Sequence, residues 1–314
     1  MTSFTWNRAK RALAGVLLLT LAGCGLLDAP GTPRLVAHRL GSGNYPENSR
    51  SALQAALREG YPSLETDFVL TRDQVPVLSH DPWINADLCT YTPDSEGTEP
   101  RRLPTDSRIL IQDLTLEELL RDYRCGGLGD PAKPGAVRVA ESFVTLDEML
   151  TLVRGHPEVL LHLDIKQDPV YTQSAELFAE EILSRLNKAA LPNAFYISST
   201  EGELIKAFKA RQPVQALLIW PSFSADTSNT VTAITHELKR KLGVEELIQL
   251  TRDAGADGIA VQYATADRAA LESVHRAGLK TAVWTPDTEG QLAVFCRWPL
   301  DYLITDYVER APCR

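Results

Sequence analysis

The sequence predicts an α/β fold, a (β/α)8 TIM barrel with an insertion after strand 2, and three observations lead there. Eight short apolar runs rich in β-branched residues recur along the chain, amphipathic helical patterns lie between them, and polar residues gather at the C-terminal ends of the runs. Strands alternating with helices imply parallel pairing with right-handed crossovers, and eight such units in 314 residues suit a closed barrel better than an open sheet.

The runs occupy residues 34–38, 64–70, 159–165, 194–198, 215–220, 258–263, 280–285 and 302–305, each bounded by turn residues. Helical periodicity is clear in SRSALQAALREG (49–60), AELFAEEILSRLNKAA (175–190) and ADRAALESVHRAG (266–278), two of which end at glycine, a common helix stop. Thr145 and Glu148 in TLDEML fit a capping box at a further helix start. Residues 84–143 break the rhythm. They are rich in Pro, Gly, Asp and Arg, with one convincing helix around LTLEELLRDY, and a run of this length inside a compact domain reads as an insertion or lid.

Ahead of the globular region, residues 1–23 read as an export signal. Arg8, Lys10 and Arg11 precede an uncharged apolar run over 12–22 that is too short to span a bilayer, and small residues follow. Leu21-Ala22-Gly23-Cys24 resembles a bacterial lipobox, so Cys24 is the expected lipidation site and residues 24–33 a tether to the domain at 34–314. Gly25 rather than Asp after the cysteine favours the outer membrane, facing the periplasm or the cell surface. Removing three positive charges from a net −9 leaves −12. That balance argues against a nucleic-acid partner, which calls for a basic footprint, and means that an anionic ligand must be drawn by local groups.

Export also places the other cysteines in an oxidising compartment. Cys89, Cys125, Cys296 and Cys313 allow three connectivities, of which Cys89 with Cys125 and Cys296 with Cys313 is favoured because each pair is local. No CxxC spacing suggests a sulfur-ligated metal.

A barrel places chemistry at the C-terminal ends of its strands. His38 and Arg39 end the first run, Glu65 and Asp67 sit two apart on one face of the second, His80 closes VPVLSHD, and Asp164 and Lys166 end the third. Trp220, Gln262, Trp284 and Asp306 close later runs. Glu65, Asp67 and Asp164 are hard oxygen ligands suited to Ca2+ or Mg2+, and they repel one another unless a cation or protons intervene. Arg39 and Lys166 offer donors to a phosphate, and His38 and His80 can exchange protons near neutral pH. Together they describe metal-assisted cleavage of a phosphodiester. The duller readings are a packed barrel layer for His162 and, for Trp284, packing in place of stacking on substrate; the glycines of GSG match neither GxGxxG nor GxxxxGK.

AHRLGSGNYPENSRSALQAALREGYPSLETDFVLTRDQVPVLSHDP resembles the signature of the glycerophosphodiester phosphodiesterases, with VTLDEML, LHLDIK, AGADGIAVQY, HRAGLKTAVWTPD and DYLITD following in order. The resemblance implies the same barrel and insertion, and release of glycerol 3-phosphate and an alcohol, with the glycerol hydroxyl able to assist attack on phosphorus. It aligns His38 and His80 with acid/base histidines, Arg39 and Lys166 with phosphate-binding groups, and Glu65 and Asp67 with metal ligands. Glu47 and Asn48 are expected to face the site with them. Asp164 stands where the family usually has Glu, and Leu40 where His-Arg-Gly is usual. A lysophospholipase D or sphingomyelinase D type enzyme, or a surface lipoprotein that binds ligands without catalysis, are the rival expectations.

Overall fold

The structure, a computed structural model, describes residues 31–93, 99–105, 108–220 and 243–314. The leader, Cys24 and most of the expected tether lie outside the described residues.

Eight parallel strands close into a barrel: β1 (Arg34–Ala37), β2 (Ser63–Leu70), β7 (Leu160–Ile165), β8 (Phe195–Ser199), β9 (Gln215–Ile219), β10 (Gly258–Gln262), β11 (Lys280–Trp284) and β12 (Tyr302–Thr305). β1 pairs with both β12 and β2, which joins the two ends of the sheet. All eight expected strands are present, with ends shifted by about a residue. The outer layer is formed by α1 (Arg50–Arg58), α3 (Leu146–Val153), α4 (Ala175–Ala189), α5 (Gly202–Arg211), α6 (Val244–Asp253), α7 (Arg268–Arg276) and α8 (Glu289–Phe295).

Strand alternation divides the core in two. Leu64, Phe68 and Leu70 of β2 and Leu161, Leu163 and Ile165 of β7 pack outward under the helices. Val36, Tyr196, Leu217, Ala260, Ala282 and Ile304 fill a separate inner cluster, the interior layer of a packed barrel. In the same alternation Glu65, Asp67, His162, Asp164 and Ser198 take the inner face, and the parallel register sets Glu65 beside His162, and Asp67 beside Asp164 and then Ser198.

The helix starts carry the expected chemistry with one difference. Ser49, Ser174 and Thr288 cap their helices by accepting a backbone N–H, and Thr145 does so from Glu148. The carboxylate of Glu148, expected to complete a capping box, pairs instead with Arg50 on α1 and ties α1 to α3.

The insertion is more ordered than a loop with one helix. Just ahead of it β3 (Pro76–Leu78) runs antiparallel to β2, and within it β4 (Cys89–Tyr91), β5 (Arg101–Arg102) and β6 (Tyr123–Cys125) form a small antiparallel sheet. The helix that sequence placed here is α2 (Leu116–Asp122), whose Thr115 and Glu118 do form a capping box. Ile84, Ile111, Leu119 and Phe143 give the insertion its own core against Val69 and Val77. Cys89 and Cys125 stand directly opposite across the β4–β6 ladder and are bridged, and Cys296 is bridged to Cys313, the favoured connectivity.

Candidate active site

The chain turns over the barrel rim at His38–Leu40, in a tight turn through left-handed backbone directly after β1. Arg39, Leu40 and Asn48 all have positive φ, as does Gly41. For Leu40, at φ 69, the left-handed backbone accounts for the glycine usual in the resemblance, since a side chain there costs about 1–2 kcal/mol. Leu40 is fully buried in the main core, and that burial, worth about 1.5–3 kcal/mol, offsets the cost.

Glu65, Asp67 and Asp164 meet inside the rim, all buried, with one oxygen from each within 4.8 Å of the others. Glu65 Oε2 accepts the backbone N–H of Arg39 at 2.6 Å. Burial and the charges of Asp67 and Asp164 push the Glu65 carboxyl well above its usual range. For Asp67 burial acts upward too, but Lys166, His80, Arg39 and His38 outweigh it and hold this carboxyl well below the usual range. Lys166 forms ion pairs with Asp164 Oδ2 and, at 2.9 Å, with Asp67 Oδ1. Asp164 Oδ1 accepts the hydroxyl of Ser198 at 2.9 Å, and Ser198 is in turn 2.6 Å from Nε2 of the buried His162. Three buried carboxylates against one ammonium are an arrangement that a divalent cation suits, since it would answer the charge left over.

Arg39 lies on the rim between Glu47, which its Nη1 donates to at 2.6 Å, and Asp67, 3.6 Å from its Nε. That Nε is buried and has no hydrogen-bond acceptor, which leaves a donor for an incoming anion. Asn48 is buried and accepts from Thr66 Oγ1 and the Asp67 backbone while donating to Asp67 Oδ2 at 2.7 Å. Glu47 and Asn48 thus serve the site through Arg39 and Asp67.

Each rim histidine is held at Nδ1 by a carboxylate. His38 is 2.6 Å from Asp306 Oδ1, and His80 is 2.9 Å from Asp81 Oδ1. A carboxylate in this position accepts the Nδ1 proton and leaves Nε2 as the free ring nitrogen. Asp306 also takes the Ser42 hydroxyl at 2.8 Å and the ammonium of Lys133 at 2.7 Å. Burial raises the Asp306 carboxyl, but His38 and Lys133 outweigh it and hold the group far down, as an anion.

His162 and Trp284 both lie against the inner barrel layer. His162 stacks on Tyr196, ring centres 4.3 Å apart, inside the barrel layer. Trp284 packs against the inner cluster with its indole N–H buried and unpartnered. Asp306, Lys133 and Ser198 are the contacts that sequence did not supply. Asp306 is marked as a rim residue by its place after the eighth apolar run, but nothing local joins it to a histidine 268 residues away.

A (β/α)8 barrel whose C-terminal rim carries an acidic trio, an arginine with a free donor and two carboxylate-held histidines defines a phosphoric diester hydrolase. The chain belongs to the glycerophosphoryl diester phosphodiesterase family, which it matches over residues 38–310. It is similar to YhdW of Bacillus subtilis, named as a glycerophosphodiester phosphodiesterase, at 23% identity over 275 residues, 87% of this chain and 94% of that one. Among solved structures, one named as a glycerophosphoryl diester phosphodiesterase from Silicibacter pomeroyi has a TM-score of 0.74 at 20% identity, covering 90% of this chain and 92% of its own. A phosphodiesterase of Oleispira antarctica, in complex with the product sn-glycerol-3-phosphate, has a TM-score of 0.64 at 19% identity, covering 88% and 94%.

Proposed function

We propose that the chain hydrolyses glycerophosphodiesters to glycerol 3-phosphate and an alcohol, with a divalent cation held by Glu65, Asp67 and Asp164 and with His38 and His80 moving the protons. The buried acidic trio beside the two held histidines is the observation that carries this reading. When bound, Ca2+ or Mg2+ neutralises charge on the phosphoryl group and polarises one of its oxygens. Arg39 offers its free Nε to a phosphate oxygen, and Lys166 pairs with Asp67 and Asp164 and holds both carboxylates in place. A new P–O bond forms to the attacking oxygen, whose proton goes to Nε2 of one histidine, and the bond to the alcohol breaks as the other histidine protonates the departing oxygen. Asp306 and Asp81 keep both rings in the tautomer and orientation this exchange needs.

The Oleispira antarctica structure with bound sn-glycerol-3-phosphate supports this product. A second reading, cleavage of a lysolipid, draws support from the cavity beside His80, whose walls include Tyr45, Pro46, Leu88, Val137 and Phe143 and offer apolar surface to a longer alcohol. The leader and Cys24 support export and lipid anchoring in a bacterial envelope, in the outer membrane.

Incubation of the leaderless protein with glycerophosphocholine, with and without a chelator, tests the main reading through release of glycerol 3-phosphate. Metal-dependent release is the expected result. Cleavage of a lysolipid alone would move the assignment to the second reading, and cleavage of neither would favour a binding protein.

A further inference from the structure

The stretch Gly126–Ala140 leaves the insertion's small sheet at the end of β6 and returns at the same place, because Cys125 and Glu141 exchange both backbone hydrogen bonds at its base, at 2.8 and 2.9 Å. It is seated on the rim at close range. Val137 N donates to Asn44 O at 2.9 Å, and Gly126, at φ 84, lies so near Pro46 that a Cβ would stand 2.5 Å from the proline ring. Only a residue without a side chain permits that approach.

From this stretch Lys133 reaches across the rim. Its own turn is fixed by Asp130, whose carboxylate caps Ala132 N and whose carbonyl accepts Lys133 N. The ammonium donates to Ser42 Oγ at 2.7 Å and pairs with Asp306 Oδ2 at 2.7 Å. Ser42 Oγ in turn donates a hydrogen bond to Asp306 Oδ1 at 2.8 Å, the same oxygen that accepts from His38 Nδ1 at 2.6 Å. Asp306 therefore has each oxygen engaged, one by His38 and Ser42 and one by Lys133. The third charged group facing it is Asp287, which accepts the backbone N–H of Asp306 at 2.9 Å and adds a repulsive charge. A carboxylate with one oxygen released would be free to rotate away from the ring it orients.

We propose that Lys133 is a positioning residue for the reaction: by pairing with Asp306 it fixes the carboxylate that orients His38, so that the histidine is set for proton transfer only when the insertion is seated on the rim. The inference rests on the proton-transfer role of His38 proposed above. It gives the insertion a part in catalysis itself, beyond covering the pocket. A single ammonium carried by the insertion reports to the barrel whether the two are docked.

The test compares Lys133→Met and Lys133→Arg in the metal-loaded enzyme. The expected result for Lys133→Met is a fall in kcat on the order of tenfold with KM changed by less than about twofold, and partial recovery in Lys133→Arg. The His38 Nδ1 proton supplies a readout that general destabilisation does not move. Its hydrogen bond to a carboxylate gives a far-downfield NMR resonance in the wild type, which shifts in Lys133→Met and is lost in Asp306→Asn. Wild-type kcat and an unmoved resonance in Lys133→Met would overturn the proposal, as would equal losses in the Met and Arg variants with the resonance unmoved. Turnover that survives His38→Ala would instead overturn the acid/base role, and the resonance would still report whether Lys133 holds the pair.

Discussion

The clearest residue-scale feature is Asp164, one methylene shorter than the Glu usual at its position, with both of its oxygens held. Ser198 donates to Oδ1 and Lys166 pairs with Oδ2, so the short side chain is aimed from two sides. Ser198→Ala removes one of these and is expected to weaken Ca2+ or Mg2+ binding about tenfold, measured by calorimetry on the metal-stripped protein. Unchanged affinity would mean that Asp164 needs no such support. Arg39→Lys is expected to lower kcat/KM about tenfold, mainly through KM, because a point charge replaces a planar fork with a free Nε. His38, Arg39, Glu65, Asp67, His80 and Asp164 were legible from sequence because each ends a strand or shares a strand face with another candidate. Asp306, Lys133 and Ser198 were not paired with their partners there, because those contacts depend on barrel closure and on the seating of the insertion, neither of which leaves a local periodicity.

Element-scale legibility follows the same physics. A parallel strand buried on both faces reads as a continuous apolar run, and all eight barrel strands came through on that signal. The insertion's β4, β5 and β6 have two or three residues each, too few for any alternation to show, and their order comes from the Cys89–Cys125 bridge and a small core. The bridge lies at the base of the stretch that carries Lys133, since Cys125 also pairs with Glu141. Replacing both Cys89 and Cys125 by Ser is therefore expected to act locally. Hydrogen exchange should rise over 126–140, and kcat should fall, while the barrel strands stay protected; native disulfides contribute about 2–5 kcal/mol, more than the insertion's small core can be assumed to spare. Protection that is lost equally over β1 and β12 would show that the insertion and barrel unfold as one unit.

At the scale of the whole molecule, acid stability should carry the mark of one inner-layer residue. Burial pushes the His162 imidazole down to about 3, with Asp67 only partly opposing this, so the ring is neutral in the folded barrel near neutral pH. In the unfolded chain the same ring takes up a proton below about 6.5. Between these values the unfolded state binds more protons, and stability falls as pH is lowered, by about 1.4 kcal/mol per pH unit. Asp67 and Asp306 have depressed values, so what they contribute is present above the unfolded carboxylate value and is lost only below about 3.9. Glu65 is raised, and in the metal-free protein its effect has the opposite sign: the folded state keeps a proton that the unfolded chain loses above about 4.3, so stability falls as pH rises there. Wild type alone would mix these effects, but His162→Phe keeps a ring against Tyr196 and leaves the carboxylates in place. In denaturant titrations of the metal-free protein, the wild type is expected to lose about 2 kcal/mol more than His162→Phe between pH 7 and pH 5. The same pH dependence in both proteins would mean that His162 takes up its proton at the same pH in the fold as in the unfolded chain, so that the barrel layer accepts an imidazolium beside the carboxylate cluster.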